Sequence, residues 1–559
     1  MPHRPHPLVP VWERIAVTVV TVTFGLWLVL WAVVVPPFQA PDEPAHVDAA
    51  AHLALGGGWP APGELHVSNA IVAAQQEWST VPSAQWSTVG ELLAAHPGES
   101  ATVDQMTQHP PTAYAVDALV LRAVHWGSLR WDHAVLALRL FDAVLVAPLS
   151  LLAWATVRRV TRSPRAALVA PLALFATPQL ASIGASVTND APVLLLGGTV
   201  VWLAARLLTG DLRTRTLLAL GVVTAGLVWT KGTGLPAVPF VAVVTLAAGA
   251  GTLPFAHRLG RTVTVLVVTA ALGSWWWLHN LLTYHRLQPD GYAAIRPPAD
   301  FPPGEGPALL HFLDVSWGTI ARTFWGSPGQ RAQVSIGDTL TAVLTVVALV
   351  VVVGWAFRRA RGPAGSPVVA WCLAVFPALL LLLQTASSAR AYLATTQVAG
   401  TQGRYVFPAL LALVALSALA WRRLPRTDRG RDVLAAALAV VMPVIGIYGL
   451  GVVAAFFWNA AAAPVTAEGL SRYAERGPVP TSVVLTVAAL VAVGLTASVV
   501  HVLLTSRRVG GRSGTDQGHA GPAGAEAGTA GPVTAEPGGA VPDARTGAPG
   551  AGAPDATQR

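Results

Sequence analysis

The chain has 559 residues, of which 53% are hydrophobic and only 11% are charged, and its formal net charge is +8. So large an apolar fraction excludes a soluble globular domain, because such a domain could not bury that many apolar side chains. The positive charge does not indicate nucleic-acid binding, since the arginines cluster in short stretches between apolar runs, where they set membrane orientation.

Apolar runs of about 17–25 residues recur along the chain and predict an all-α, polytopic transmembrane helix bundle. Helices are the expected spanning element because every backbone polar group must be hydrogen-bonded inside lipid. The first run is followed by Pro-Pro and not by a small-residue cleavage site, so we expect it to be retained. Twelve spans are predicted, at 15–35, 134–157, 166–184, 191–208, 216–230, 234–250, 262–282, 338–357, 367–385, 404–421, 432–457 and 480–504.

Arginine-rich stretches between these spans predict the orientation. They lie at 158–165, 213–215, 257–261, 358–361, 422–431 and 507–512. With twelve spans and a cytoplasmic N-terminus, all of them fall in the cytoplasm, as the positive-inside rule requires. A further apolar segment, 112–128, would invert this pattern if it crossed the membrane. We therefore expect it to form an interfacial or re-entrant helix on the outer face.

The predicted transmembrane domain covers residues 1–505 and has two long outer loops, 36–133 and 283–337. Residues 506–559 are rich in Gly, Ala, Pro and Thr and contain almost no large apolar side chain. Such a segment cannot bury enough surface to fold, so we expect a disordered cytoplasmic tail. The prediction is a multi-pass plasma-membrane protein with both termini in the cytoplasm.

The first acidic side chains of the outer loops, Asp42 and Glu43, follow the first span by about seven residues and are bracketed by Pro41 and Pro44. Burial near lipid favours the neutral form of a carboxyl group and makes it a better proton acceptor, which suits a general base. His46 would face back toward them on a helix beginning at Pro44. The alternatives are an ordinary acidic helix N-terminus and a Mg²⁺ or Mn²⁺ site.

Four further candidates are expected on the outer side. Lys231, within WTKGTG, and Arg404, with Tyr405 beside it in TQGRYVFP, are suited to binding a phosphate. Asp190 stands at the outer start of the fourth span, where a simple helix cap is the alternative. Snorkelling to the interface is the alternative for Lys231, and contact with lipid headgroups is the alternative for Arg404.

In the second outer loop, Arg322 and Trp325 combine a cation with an aromatic ring that could stack on a sugar, although a Trp there also fits an interfacial belt. The predicted topology places Asp42, Glu43, Asp190, Lys231, Arg322 and Arg404 on the same face of the membrane. A carboxylate base and several phosphate-binding cations on one face indicate an enzyme that uses a lipid phosphate as leaving group.

Several of these stretches resemble a family of bacterial membrane proteins grouped as domain of unknown function 2142, which is similar to the GT-C glycosyltransferases. The resemblance covers roughly residues 12–505. It is carried by PDEPAH at 41–46, HPPTAY at 109–114, ND at 189–190, TKGTG at 230–234, FWGSPG at 324–329 and QGRYVFP at 402–408.

The resemblance implies a GT-C enzyme that takes a sugar from a polyprenyl-phosphate donor on the extracytoplasmic side. GT-C enzymes carry an acidic residue in the first outer loop near the first span, and the resemblance implies that Asp42, with Glu43 beside it, matches this residue. It also implies that 112–128 is a juxtamembrane helix. Lys231 and Arg404 would be the phosphate partners.

The sequence therefore predicts an inverting membrane glycosyltransferase. Its partners would be the lipid bilayer, a polyprenyl-phosphate sugar and an envelope glycan, lipid or protein as acceptor. The catalytic candidates are Asp42 and Glu43, and the substrate-binding candidates are His46, Asp190, Lys231, Arg322, Trp325, Arg404 and Tyr405. The alternatives are a transporter or flippase of lipid-linked saccharides and a non-catalytic envelope-assembly scaffold. A divalent metal cofactor is left open.

Overall fold

A computed structural model describes residues 9–289, 297–358, 367–458 and 466–515, with the side chains of 506–515 excepted. The described chain is almost entirely helical, as the recurrent apolar runs predict. Its first part contains α1 (Val11–Val34), α2 (Glu43–Ala54), β1 (His66–Ser68), α3 (Asn69–Thr80), α4 (Val89–Ala95), β2 (Glu99–Val103), α5 (Thr112–Ala123), α6 (Trp131–Val146), α7 (Leu149–Thr161), α8 (Pro164–Val169), α9 (Pro178–Gly184) and α10 (Asp190–Leu208).

The second part of the described chain contains α11 (Thr214–Val228), α12 (Ala237–Ala247), α13 (Phe255–Gly273), α14 (Trp275–Tyr284), α15 (Leu309–Trp325), α16 (Asp338–Trp355), α17 (Pro367–Thr395), α18 (Leu410–Arg423), α19 (Asp428–Trp458), α20 (Ala467–Arg476) and α21 (Thr481–Thr515). Short 3-10 helices lie at Ser83–Gln85, Gln105–Gln108, Trp126–Ser128, Ala170–Leu174, Gly232–Gly234 and Gly403–Ala409.

Each of the twelve predicted spans coincides with a helix or a broken pair of helices in the described chain. Nine are long and apolar enough to cross a membrane, and the bent pair Pro164–Leu174 and Pro178–Gly184, with a bend of 69°, makes up to ten. Thr214–Val228 and Gly232–Ala247 are shorter apolar helices. The chain is thus a multi-pass membrane protein built as a helix bundle, and the predicted fold class is confirmed.

The bundle is held together by a continuous apolar core. Trp27 and Trp31 of α1 are fully enclosed, and their rings pack edge to face with centroids 5.9 Å apart. Gly446 of α19 has no room for a side chain, because an added Cβ would meet the Phe175 carbonyl oxygen at 2.4 Å. This close approach lets α19 lie directly against the 3-10 helix at Ala170–Leu174.

The predicted outer loop 36–133 folds into a small domain around an apolar core. We call residues 36–133 the outer domain, after their predicted side of the membrane. Strands β1 and β2 pair antiparallel, α2 and α3 pack against them, and α5 and α4 pack on α2 and α3 respectively. Helix α5 has 12 residues and is about 18 Å long, too short to cross a hydrocarbon layer of about 30 Å. Its Val116 and Leu119 remain exposed. Segment 112–128 therefore does not form a membrane-spanning helix, and its place at the outer membrane surface stays a prediction.

Two predicted boundaries differ from the structure. The predicted loop 283–337 contains the amphipathic helix α15, which packs against the 3-10 helix Gly403–Ala409. Helix α21 continues to Thr515, ten residues past the predicted domain end at 505, and the rest of the predicted tail lies outside the described residues. The backbone contacts group the described residues up to Gly510 as one compact unit.

Candidate functional site

Asp42 lies at the break between α1 and α2. Its backbone has φ 57°, the left-handed region that Asp tolerates better than most side chains. Asp42 occupies the N-cap position of α2, yet its side chain makes no capping hydrogen bond. The carboxylate instead accepts hydrogen bonds from Arg404 Nη2 at 2.9 Å and from Gln105 Nε2 at 3.3 Å. Capping of α2 therefore does not account for the position of the Asp42 side chain.

Four charged side chains form a continuous row of alternating sign. From Asp42 the row passes to Arg404, whose Nε lies 3.9 Å from Asp190 Oδ2. Asp190 Oδ1 in turn accepts a hydrogen bond from Lys231 Nζ at 2.6 Å. Asp190 begins α10, Lys231 precedes the 3-10 helix Gly232–Gly234, and Arg404 belongs to Gly403–Ala409. The sequence predicts these four residues on one face of the membrane, and in the structure they contact one another.

Tight backbone packing explains how Arg404 reaches this row. Gly403 donates its N–H to Thr323 Oγ1 at 2.6 Å, and an added Cβ would meet the Ile320 carbonyl oxygen at 2.3 Å. Only glycine lets the two backbones approach this closely. The contact fixes the 3-10 helix on α15 and so sets the position of the guanidinium beside it.

The row contains polar atoms with no hydrogen-bond partner in the described chain. They are Arg404 Nε, Arg404 Nη1 and Asp190 Oδ2, all enclosed by protein. Buried polar atoms are normally hydrogen-bonded, so this pattern is typical of a site that a ligand or water completes. Lys231 and Arg404 are 7% and 4% exposed, while the Asp42 side chain is 36% exposed. Asp42 is thus the accessible end of the row.

Tyr405 lies beside both cations. Its ring centroid is 5.6 Å from Lys231 Nζ and 5.7 Å from the guanidinium carbon of Arg404. Cations at this distance are attracted by the ring face. The predicted site residue Tyr405 is therefore part of the row, where it supports the two positive charges.

Glu43 has a different environment from its neighbour Asp42. It is fully buried and accepts two hydrogen bonds from Arg139, from Nε at 2.7 Å and from Nη2 at 2.6 Å. It also accepts the Val187 N–H at 3.1 Å. Arg139 further binds the carbonyl oxygens of Ala32, Val35 and Pro36. Both oxygens of Glu43 are engaged in tying α1, α2 and α6 together, which leaves Asp42 as the candidate base.

His46 forms a wall of the site. Its Nδ1 lies 3.0 Å from Tyr114 Oη, which also accepts Asn189 Nδ2 at 3.1 Å, and its Nε2 lies 3.5 Å from Thr188 Oγ1. Burial and the positive charge of Lys231 lower the pKa of His46 to about 3, so the ring is neutral. His46 thus joins α2 to the segment before α10 and adds no charge.

Arg322 and Trp325 are not brought into the row by any hydrogen bond or ion pair. Trp325 donates its Nε1–H to Thr345 Oγ1 of α16 at 2.9 Å. The Arg322 side chain makes no hydrogen bond or ion pair with any residue that the structure describes, although the neighbouring Thr323 contacts Gly403. Both remain candidates from the sequence alone.

Three further residues surround the row and were not selected from the sequence. Gln105 binds Asp42, as described above. Trp59 stacks on Tyr114 with centroids 5.2 Å apart and donates its Nε1–H to the His109 carbonyl oxygen at 3.2 Å. His109 opens the HPPTAY stretch, which the sequence marked as a motif without assigning a role to this residue. Gln105 and Trp59 lack such a signal.

The expectation that burial makes Asp42 a stronger base is wrong for the ligand-free protein. Burial is the largest single effect and raises the pKa of Asp42, but Arg404, His46 and Lys231 together outweigh it and hold the pKa below its usual value. Asp42 is therefore ionised at neutral pH. In the described part of the chain, no group of three His, Cys, Asp or Glu residues is placed to hold a metal ion.

The structure also contains a cavity of about 230 Å³ inside the outer domain. It is lined mainly by apolar side chains, and Val47 and Ala51 of α2, with Leu55 directly after the helix, contribute to it. His46 points from the opposite side of α2, since residues at these spacings lie on different helix faces. The cavity and the charged row are thus separated by one helix.

The fold and the site define a class: a multi-pass helical membrane protein with a row of buried charges where the outer domain meets the bundle. The chain belongs to the family described as predicted membrane protein (DUF2142), whose model matches residues 24–414. The family predicted from the sequence motifs is therefore confirmed. The sequence matches no curated protein.

Two solved structures are similar to the chain at low identity. ArnT from Cupriavidus metallidurans, bound to undecaprenyl phosphate, is 16% identical with a TM-score of 0.40, covering 90% of this chain and 79% of that chain. The apo oligosaccharyltransferase of Archaeoglobus fulgidus is 13% identical with a TM-score of 0.40, covering 87% of this chain and 56% of its own.

Proposed function

We propose that the protein is a membrane glycosyltransferase that transfers a sugar from a polyprenyl-phosphate donor to an acceptor hydroxyl on the extracytoplasmic face. The supporting observation is the row of Asp42, Arg404, Asp190 and Lys231, in which two guanidinium N–H groups have no partner in the described chain. In the proposed orientation both termini are cytoplasmic and the protein resides in the plasma membrane, as the arginine distribution favours.

The donor phosphate would bind Arg404 and Lys231. A guanidinium binds phosphate oxygens through paired N–H groups, and Nε and Nη1 of Arg404, which have no hydrogen-bond partner in the described chain, are available for this. The four-charge row sums to zero, because two carboxylates offset two cations. A phosphodiester with a single negative charge therefore enters a site that is neutral in total but presents unpaired donors.

Asp42 would act as the general base. Its carboxylate takes the proton of the acceptor hydroxyl while the acceptor oxygen forms a bond to the anomeric carbon of the sugar. The bond from that carbon to the phosphate oxygen breaks, and polyprenyl phosphate leaves with the electron pair. Arg404 and Lys231 stabilise the charge that develops on the leaving group, which is the role of positioned donors in such reactions. Attack opposite the leaving group inverts the anomeric configuration.

Donor binding would also activate the base. In the free protein Arg404 is paired with Asp42, which keeps the carboxylate weakly basic. When the phosphate engages Arg404, a second negative charge lies near Asp42 and part of the pairing is lost. Both changes raise the pKa of Asp42. The carboxylate thus becomes a better proton acceptor only when the sugar donor is in place.

The acceptor is proposed to be a hydroxyl of an envelope glycan, lipid or protein, since Asp42 and Gln105 are the accessible part of the site on the outer domain. The proposed roles of the four charged residues are the same whichever of these classes supplies the hydroxyl. The same row in a flippase or in an inert scaffold would not require an ionisable side chain at position 42.

The test is envelope glycan composition in a deletion strain complemented with wild-type protein, Asp42→Asn or Asp314→Asn. Asp314 is an exposed aspartate of α15 and serves as the matched control. We expect deletion to remove a glycan, wild-type and Asp314→Asn to restore it, and Asp42→Asn to fail while still binding undecaprenyl phosphate. Unchanged glycans after deletion, or full complementation by Asp42→Asn, would refute the enzyme. The second result would favour a flippase or scaffold.

A further inference from the structure

The backbone at His109 is fixed beside the charged row. The 3-10 helix Gln105–Gln108 begins with the residue that binds Asp42 and ends at His109, whose N–H bonds the Met106 carbonyl oxygen at 3.0 Å. Trp59 holds the His109 carbonyl oxygen from the other side. Two prolines follow directly and restrict the backbone further. The imidazole ring therefore projects from a rigid anchor.

The ring itself has no hydrogen-bond partner in the described chain. His109 Nδ1 is enclosed by protein and has no hydrogen-bond partner among the described residues. The nearby His46 differs, because both of its nitrogens contact hydroxyl groups. A histidine kept only for packing would be expected to satisfy its nitrogens as His46 does. A bound ligand could supply the hydrogen bond that the His109 ring lacks.

Lys231, His46, Asp190 and Asp42 are close enough to His109 to affect its charge state. Burial, followed by the positive charge of Lys231, lowers the pKa of His109 well below its ordinary value. The ring is neutral at physiological pH and has one donor and one acceptor nitrogen. Such a ring matches a hydroxyl group, which also donates and accepts. The phosphate already has Arg404 and Lys231 as partners.

We propose that His109 contacts the substrate in this site and binds a hydroxyl of the sugar that is transferred. The inference rests on the proposed function and adds the group that distinguishes a glycosylated donor from the bare lipid phosphate. Trp59 lies beside the same place and is partly exposed, so its ring offers an apolar face of the kind sugars stack on.

The test compares two kinds of probe with purified protein in nanodiscs. One is undecaprenyl phosphate, and the other is a set of its glucose, mannose and arabinose esters. Affinities are measured by native mass spectrometry. We expect the wild type to bind at least one ester more tightly than undecaprenyl phosphate. His109→Ala should lose about tenfold in affinity for that ester and nothing for undecaprenyl phosphate, as expected for one lost hydrogen bond.

Three further variants separate the explanations. His109→Asn places an amide near the position of Nδ1 and should retain most of the affinity, whereas His109→Gln reaches past it and should not. Arg404→Gln should weaken binding of both lipids. If His109→Ala weakens both lipids equally, or neither, the inference about His109 is overturned while the phosphate site stands. If the wild type binds neither lipid, the proposed function fails together with it.

Discussion

Arg404 Nη2 lies 2.9 Å from Asp42 Oδ2, although the two residues are 362 positions apart in the sequence. Arg404 comes from the start of a late span and Asp42 from the first outer segment. An ion pair over this separation requires the whole bundle between them to fold correctly. The proposed chemistry depends on this contact, because it places a base beside a phosphate-binding cation.

Replacing Arg404 by Gln should reduce affinity for undecaprenyl phosphate by about 10- to 100-fold, since charged hydrogen bonds contribute about 1.5–3 kcal/mol each. The measurement is lipid binding in nanodiscs. Arg322→Gln is the matched control, because the Arg322 side chain makes no ion pair or hydrogen bond in the described chain. A loss with Arg322→Gln and none with Arg404→Gln would move the phosphate site to α15.

The pH dependence of transfer should differ between the free and the donor-bound protein. Asp42 must be ionised to act as a base, so the rate falls as pH drops through its pKa. Arg404 holds this pKa below its usual value in the free protein, and a bound phosphate raises it. The acid limb of kcat/KM should therefore lie at lower pH than the acid limb of kcat. Coincident limbs would contradict activation of the base by the donor.

Glu43 should prove to be a stability residue. Glu43→Gln leaves the buried Arg139 guanidinium without its counter-charge, and breaking such a pair costs about 3–5 kcal/mol. We expect a lower unfolding temperature in detergent, measured by intrinsic fluorescence, and a larger loss than for Asp42→Asn. The contrary result is a fully stable Glu43→Gln protein with no transfer activity, which would make Glu43 the base.

The twelve apolar segments were predictable because lipid imposes one rule on the whole chain, and the four residues of the charged row followed from motifs and topology together. The different roles of Asp42 and Glu43 were not predictable. Two adjacent carboxylates have the same local chemistry, and only the positive φ of Asp42 and the distant Arg139 separate them.

Long-range contacts limited the rest of the site prediction. Gln105 and Trp59 sit in segments without a chemical pattern, and their roles come from the packing of the outer domain around α2. Helix α15 was not predicted because it is amphipathic, and its sequence therefore contains no continuous apolar run. Its contact with Gly403 is what positions Arg404, so a prediction from local sequence alone could not include it.

The proposed orientation can be tested with engineered cysteines, since Cys372 is the single cysteine and is buried. Thr80→Cys lies in the outer domain and Thr252→Cys in a predicted cytoplasmic loop, and both positions are exposed. A membrane-impermeant maleimide added to intact spheroplasts should label only Thr80→Cys. Both should label after permeabilisation. Labelling of Thr252→Cys alone in intact spheroplasts would invert the topology and place the charged row in the cytoplasm.

Asp104 should make the stability of the protein depend on pH near neutrality. It is fully buried, and burial together with the neighbouring Asp48 carboxyl raises its pKa from 3.8 to about 8. Between these two pKa values the folded state holds a proton that the unfolded chain releases. The free energy of unfolding is therefore highest below the pKa of 3.8 and decreases as pH rises toward about 8. The unfolding temperature of the wild type should fall from about pH 5 to about pH 8. Asp104→Asn, which keeps an acceptor for the Met106 N–H, should flatten this dependence, and an unchanged slope would show that other groups cause it.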